Sequence, residues 1–200
     1  PQTTRTRIMG VLTEGECQLV FLDTPGLHKP RNRLGEYMVR SVAESVSGVD
    51  ACLLVTEAGA PVSAADQDLL QRCRAQELPV VLATNKIDTL PDKSALMGQI
   101  AQWNGLFPFT AVVPVSAQDG SGVKSDLLPE LKRLCQPGGH FFADDTLTDQ
   151  PERVLAGEIV REKLLRLLDK EIPHGAAVAV ERMREREDGS GVSDIEALIY

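Results

Sequence analysis

Three apolar segments, each stopping abruptly at a small polar cluster, constrain this chain more than any other feature. Leu19 to Leu22 runs into Asp23-Thr24-Pro25-Gly26, Pro79 to Thr84 into Asn85-Lys86-Ile87-Asp88, and Ala111 to Val115 into Ser116-Ala117-Gln118. Runs of Val, Leu and Ala with little polar alternation belong to strands covered on both faces, the mark of a parallel sheet. Between them lie segments with helical spacing, so the fold class is α/β: a mostly parallel sheet with helices on both faces. Ligands of such sheets sit at the carboxyl ends of the strands, where these polar clusters fall.

The rest of the chain fits the same alternation. Arg7 to Thr13 and Cys17 to Asp23 read as two strands joined by a turn at Glu14-Gly15-Glu16, and Ala51 to Thr56 as a buried strand. Leu34 to Val46, Ser63 to Gln76, Lys93 to Asn104 and Val123 to Cys135 read as helices, with Ser63 as an N-cap. After a segment rich in Pro, Gly and Asp the order changes to helix (Glu152 to Asp169), strand (Gly175 to Met183), strand (Asp194 to Tyr200). The expected organisation is therefore a first domain over residues 1–136, a linker over 137–151 and the start of a second domain over 152–200. Arg161, Lys163, Arg166 and Lys170 alternate with acidic residues, so that helix face reads as solvated.

Composition narrows the function classes. A net charge of −8 argues against a bulk nucleic-acid coat, but a small RNA site needs only local basic surface. Cys17, Cys52, Cys73 and Cys135 lie far apart in sequence without ligand spacing, so they read as reduced thiols and not as a zinc site. The longest apolar runs are strand-sized.

The chemistry of the strand ends is specific. A carboxylate such as Asp23 suits Mg2+ through water, because hard cations take oxygen ligands. Gly26 lets its backbone N–H approach a terminal phosphate, with Pro25 restricting the loop. The two oxygens of Asp88 match the paired donors of a guanine edge, which adenine lacks. The stem of Lys86 can lie over a base, and the Asn85 amide can reach the ring or brace neighbouring loops. The Ala117 N–H can donate to a base carbonyl, with Ser116 holding its loop. The blander alternatives are a turn former for Asp23 and Asx-turns for Asn85 and Asp88.

"DTPG", "TNKID" and "VSA", in that order, resemble the third, fourth and fifth motifs of translation-factor-type GTPases. "PQTTRTRIMGVLTEG", "LDTPGLHKPRNRLGEYMVR" and "ERVLAGEIVREKLLRLLDKEIPHGAAVAVERM" resemble the bacterial Era family, the last at the start of its KH RNA-binding domain. The resemblance implies GTP and GDP as ligands with Mg2+ as cofactor. It implies Thr4 (or the adjacent Thr3) and Asp23 as metal-side residues and Thr24, Pro25 and Gly26 as the phosphate-sensing loop. Asn85, Lys86, Asp88, Ser116 and Ala117 become the base site. It implies GTP hydrolysis, binding to the 3′ end of small-subunit 16S ribosomal RNA, and a role in 30S subunit biogenesis. It further implies a cytoplasmic monomer with some protein at the inner membrane surface. A tRNA-modification GTPase and a non-catalytic nucleotide- or RNA-binding module are the alternatives.

The chain departs from the pattern in having no G-x-x-x-x-G-K-[ST] phosphate loop. In the family this loop and its central strand precede the segment at Pro1, so the 200 residues alone are expected to bind GTP poorly. "DGSGVKSD" (Asp119 to Asp126) reads as a turn and helix start instead, and the G-x-x-G clamp of a KH domain is expected after Tyr200. Leu27 stands where many GTPases carry a water-orienting glutamine, so water positioning falls to backbone groups or a partner. Leu27→Ala in the full-length protein should leave kcat largely intact in a phosphate-release assay; a loss beyond about tenfold with normal folding would overturn that reading.

Overall fold

A computed structural model describes residues 8–23, 48–90, 92, 94–167, 177–187 and 189–200. The helix expected over Leu34 to Val46 lies outside them. The chain divides into two compact units, one ending at Leu147 and the other running from Thr148 to Tyr200.

The first unit is organised around β3 (Cys52–Glu57), β4 (Val80–Asn85) and β5 (Ala111–Pro114), which form a parallel sheet in that order. β4 is central, and its residues Val80 to Thr84 are all buried. Successive side chains point to opposite faces. Val80 and Leu82 therefore enter one core with Leu54, Leu69, Leu70, Cys73, Trp103 and Phe107. Val81 and Ala83 enter the other with Val113, Val115, Leu127 and Leu131. Helices α1 (Ala64–Ala75) and α2 (Ser94–Leu106) cover the first face. α1 starts where the sequence indicates: the Asp66 N–H donates to Ser63 Oγ at 3.1 Å and the Ser63 N–H returns to Asp66 Oδ2 at 2.9 Å.

The helix expected over Val123 to Cys135 is broken into a wide π turn, Val123–Leu127, and a short α3, Leu128–Lys132. Pro129 has no N–H to give to the carbonyl four residues back, so the opening turn widens and the Leu127 N–H reaches Gly122 O at 2.8 Å. Gly122 has φ +72°, and a Cβ there would sit 2.4 Å from the Pro114 carbonyl oxygen, so this position accepts only glycine.

β1 (Ile8–Glu14) and β2 (Cys17–Asp23) form an antiparallel hairpin. Leu19 and Phe21 pack against the second core. Lys132 at the end of α3 pairs with Glu14 at the hairpin turn and holds its carboxyl below the usual range, first by hydrogen bonding and then by charge. The segment after α3 is tied down as well. Gln18 Oε1 accepts from the Phe141 and Phe142 N–H groups at 2.8 and 3.0 Å, and Gln18 Nε2 donates to Phe142 O at 3.0 Å. The Val11 N–H donates to Leu147 O at 2.8 Å. The cysteines, distant in sequence, meet in space as two thiol pairs: Cys52 with Cys73, and Cys17 with Cys135. Burial, then the bond to Cys17, pushes the Cys135 thiol up to about 11.

The second unit has the α-β-β order expected. α4 (Glu152–Leu167) packs on β6 (Val178–Glu185), which pairs antiparallel with β7 (Ser193–Ile199) across a bulge between Val180 and Arg182. Arg161 departs from the solvated reading of its helix. It is buried, with its guanidinium 3.1 Å from Glu158, the pairing that a buried charge requires.

Leu82→Ala, which empties the centre of the first core, should destabilise the first unit by about 2–5 kcal/mol. Met97→Ala on the exposed side of α2 should change stability by less than about 0.5 kcal/mol. Denaturant midpoints of the two variants test the contrast.

Candidate functional site

The carboxyl ends of β3, β4 and β5 converge, and each leaves its strand in a different way. β4 delivers Asn85 half-buried, and the chain then turns sharply because Lys86 takes φ +67°. For a residue with a Cβ this left-handed conformation costs about 1–2 kcal/mol. It is held by the Thr89 N–H and Thr89 Oγ donating to Lys86 O at 3.0 and 2.8 Å, and by the Ile87 N–H donating to Val115 O at 3.3 Å. A single 3-10 turn, Ile87–Thr89, follows and leaves Asp88 exposed.

β5 runs out into Val115, Ser116 and Ala117. Ser116 is fully buried. Its N–H donates to Ser121 O at 2.9 Å and its carbonyl accepts from the Gly120 N–H at 2.9 Å, closing a tight loop. Asp119 caps the loop by accepting from the Ser121 N–H at 2.8 Å. That bond is the main reason its carboxyl lies below the usual range. The Ala117 N–H donates to Asn85 Oδ1 at 2.9 Å. Of the two roles open to the Asn85 amide in the sequence, bracing the neighbouring loop is the one seen. The Ala117 N–H, the expected donor to a base carbonyl, is engaged by Asn85.

β3 ends in a loop that no motif marks. Gln99, buried on α2, accepts from the Gly59 N–H at 2.9 Å and donates to Glu57 O and Ala60 O at 3.2 and 2.8 Å. Three of its four hydrogen-bonding positions go to one turn of backbone, as burial of an amide requires. The Ala58 N–H donates to Asn85 O at 2.7 Å, and Glu57 Oε2 lies 2.9 Å from Lys86 Nζ. Asn85, Lys86, Ser116 and Ala117 are thus brought together with Glu57 and Gln99, which no motif marks.

Asp23 ends β2 with an exposed side chain. Thr3, Thr4, Thr24, Pro25, Gly26 and Leu27 lie outside the described residues. No group of three His, Cys, Asp or Glu side chains among the described residues makes a cage for a metal ion. A Mg2+ bound through one carboxylate, water and substrate phosphates needs none.

A family model described as 50S ribosome-binding GTPase matches residues 1–86. The GTPase Era of Ruminiclostridium cellulolyticum is 44% identical over the whole chain, which covers 66% of that relative, and that of Clostridioides difficile is 41% identical with 67% covered. The chain thus spans about two thirds of the length of these curated relatives. Two solved structures superpose with a TM-score of 0.85 at 30% identity, covering 99% of this chain and 67% of each of theirs. One is an Aquifex aeolicus Era variant bound to GDP·AlF4−, the other Era in complex with MgGDPNP and nucleotides 1506–1542 of 16S ribosomal RNA.

Asn85→Ala removes the brace between β4 and the Ser116 loop. Amide exchange in the 115–121 segment should accelerate, by an amount corresponding to about 1 kcal/mol, while that of α1 stays unchanged. Hydrogen-exchange mass spectrometry reads both segments at once.

Proposed function

The chain belongs to the Era family of GTPases, and from that premise we propose that it contributes the guanine-binding half of a nucleotide site and the entry to an RNA-binding domain. The full-length protein, on this reading, binds GTP and GDP with Mg2+, hydrolyses GTP, and binds the 3′ end of small-subunit ribosomal RNA during 30S assembly. The observation that carries the reading is the Asn85–Ala117 bond. It locks the N-K-x-D turn to the S-A loop at the ligand edge of the sheet and leaves Asp88 exposed beside them.

The residues divide the work by chemistry. Asp88 accepts the two donors of the guanine edge. Lys86 covers the ring with its stem. Ser116 and Asn85 hold the loop that presents the Ala117 N–H, which reaches the guanine carbonyl by sharing or exchanging its bond to Asn85. Asp23 and the switch threonine, Thr4 or Thr3, hold Mg2+ with the phosphates, and Thr24, Pro25 and Gly26 sense the third phosphate. The metal, when bound, offsets the charge that builds on the transferred phosphoryl oxygens. GTP orders these loops and its hydrolysis releases them.

The complexes known for Era, with a GTP analogue and with 16S ribosomal RNA, support extending the nucleotide and RNA roles to this chain. The α-β-β unit after Thr148 supports a KH-type second domain over the neighbouring tRNA-modification GTPases. By family resemblance the protein is a cytoplasmic monomer, with a fraction at the inner membrane surface.

In the full-length protein, Asp88→Asn should weaken GTP binding and shift preference toward xanthosine triphosphate, whose base presents an acceptor where guanine presents an amine. Competition titrations with GTP and XTP test this; an unchanged preference would sink the guanine assignment.

A further inference from the structure

Among the described residues outside the motifs, Glu57 makes an ion pair with a residue of the candidate base site. We propose that Glu57, at the carboxyl end of β3, is a positioning residue that pre-sets Lys86 for the base; this rests on the guanine reading of the site. Glu57 and Asn85 are direct partners in the parallel ladder, so the glutamate stands one strand away from the lysine turn. Its Oε2 lies 2.9 Å from Lys86 Nζ. The backbone beneath it is fixed. Gln99 bonds to Glu57 O, to the Gly59 N–H and to Ala60 O, and the Ala58 N–H bonds to Asn85 O. Both ends of the ion pair therefore stand on anchored backbone, unlike two long side chains that meet by chance on a helix.

The physical consequence follows from side-chain entropy. A free lysine has four rotatable bonds, and ordering it costs up to about 2 kcal/mol. With the ammonium held by Glu57, and the backbone of Lys86 already turned into the left-handed region, part of that cost is met before any ligand arrives. Pre-organisation of this kind raises affinity without adding a contact to the ligand. It also acts on the base alone, so it should favour GDP and GTP equally. Both side chains are about half-exposed, which sets the scale: an exposed pair changes affinity by about two- to fivefold and is screened by salt.

The test is a double-mutant cycle in the full-length protein, with fluorescent GDP as probe. Glu57→Ala should weaken GDP binding about two- to fivefold at low salt, lose that effect near 1 M KCl, and leave the melting temperature unchanged. In a Lys86→Met background the same substitution should have no effect on affinity. Unchanged or tighter GDP binding by Glu57→Ala overturns the assignment, as does an equal loss in both backgrounds. If the unsubstituted protein does not prefer GDP to ADP, the guanine reading falls and this inference with it. If that preference holds while the cycle shows no coupling, only the role of Glu57 is lost.

Discussion

The burial of β4 on both faces is the constraint on which the rest depends. Five consecutive side chains with no access to water leave the strand no freedom of register. A slip by one residue would exchange Val80 and Leu82 for Val81 and Ala83 between two cores of different shape. Fixing the register fixes where the strand ends, and hence where Asn85 and Lys86 emerge. The neighbouring strands are registered against it, so Glu57 and the Ser116 loop arrive at the same edge. The chemistry at that edge is soluble and polar, yet it is positioned by apolar packing several residues below.

Much of this was legible in the sequence because the signals were local. Apolar runs marked the strands, Ser63 marked the start of α1, and polar clusters after each run marked the ligand edge. What escaped depended on partners remote in sequence. Gln99 looks like any polar residue on a helix, and nothing near it announces that its amide serves a turn some 40 residues earlier. The Glu57–Lys86 pair and the two thiol pairs are hidden for the same reason. Other departures have local causes. Pro129 lies inside the helical segment, and the charge of Arg161 is buried beside Glu158, a partner three residues away on the same helix.

Era-family membership and these observations divide the explanation. The family accounts for the order of the motifs along the chain. The described residues account for how the motifs are held: an amide on α2 bonds the backbone at the end of β3, that turn bonds Asn85, and Asn85 bonds the loop after β5. Rigid strand ends beneath short turns are a common way of placing recognition groups accurately, since a loop by itself would wander.

The seat of Phe141 and Phe142 on Gln18 has a consequence in time. The two partners are 124 residues apart in the case of Phe142, so the hairpin leaves a ribosome long before the segment that fastens it. At about 5–20 residues per second, the interval is on the order of 6–25 s. During it the hairpin must persist, or re-form, without the bonds that later hold its strands. The β3-β4-β5 sheet with α1 and α2, built from nearer segments, has those seconds in which to assemble first. The order of synthesis thus makes the Gln18 contact a late step, one that joins the start of the described chain to its middle only after the residues of the core between them have been made.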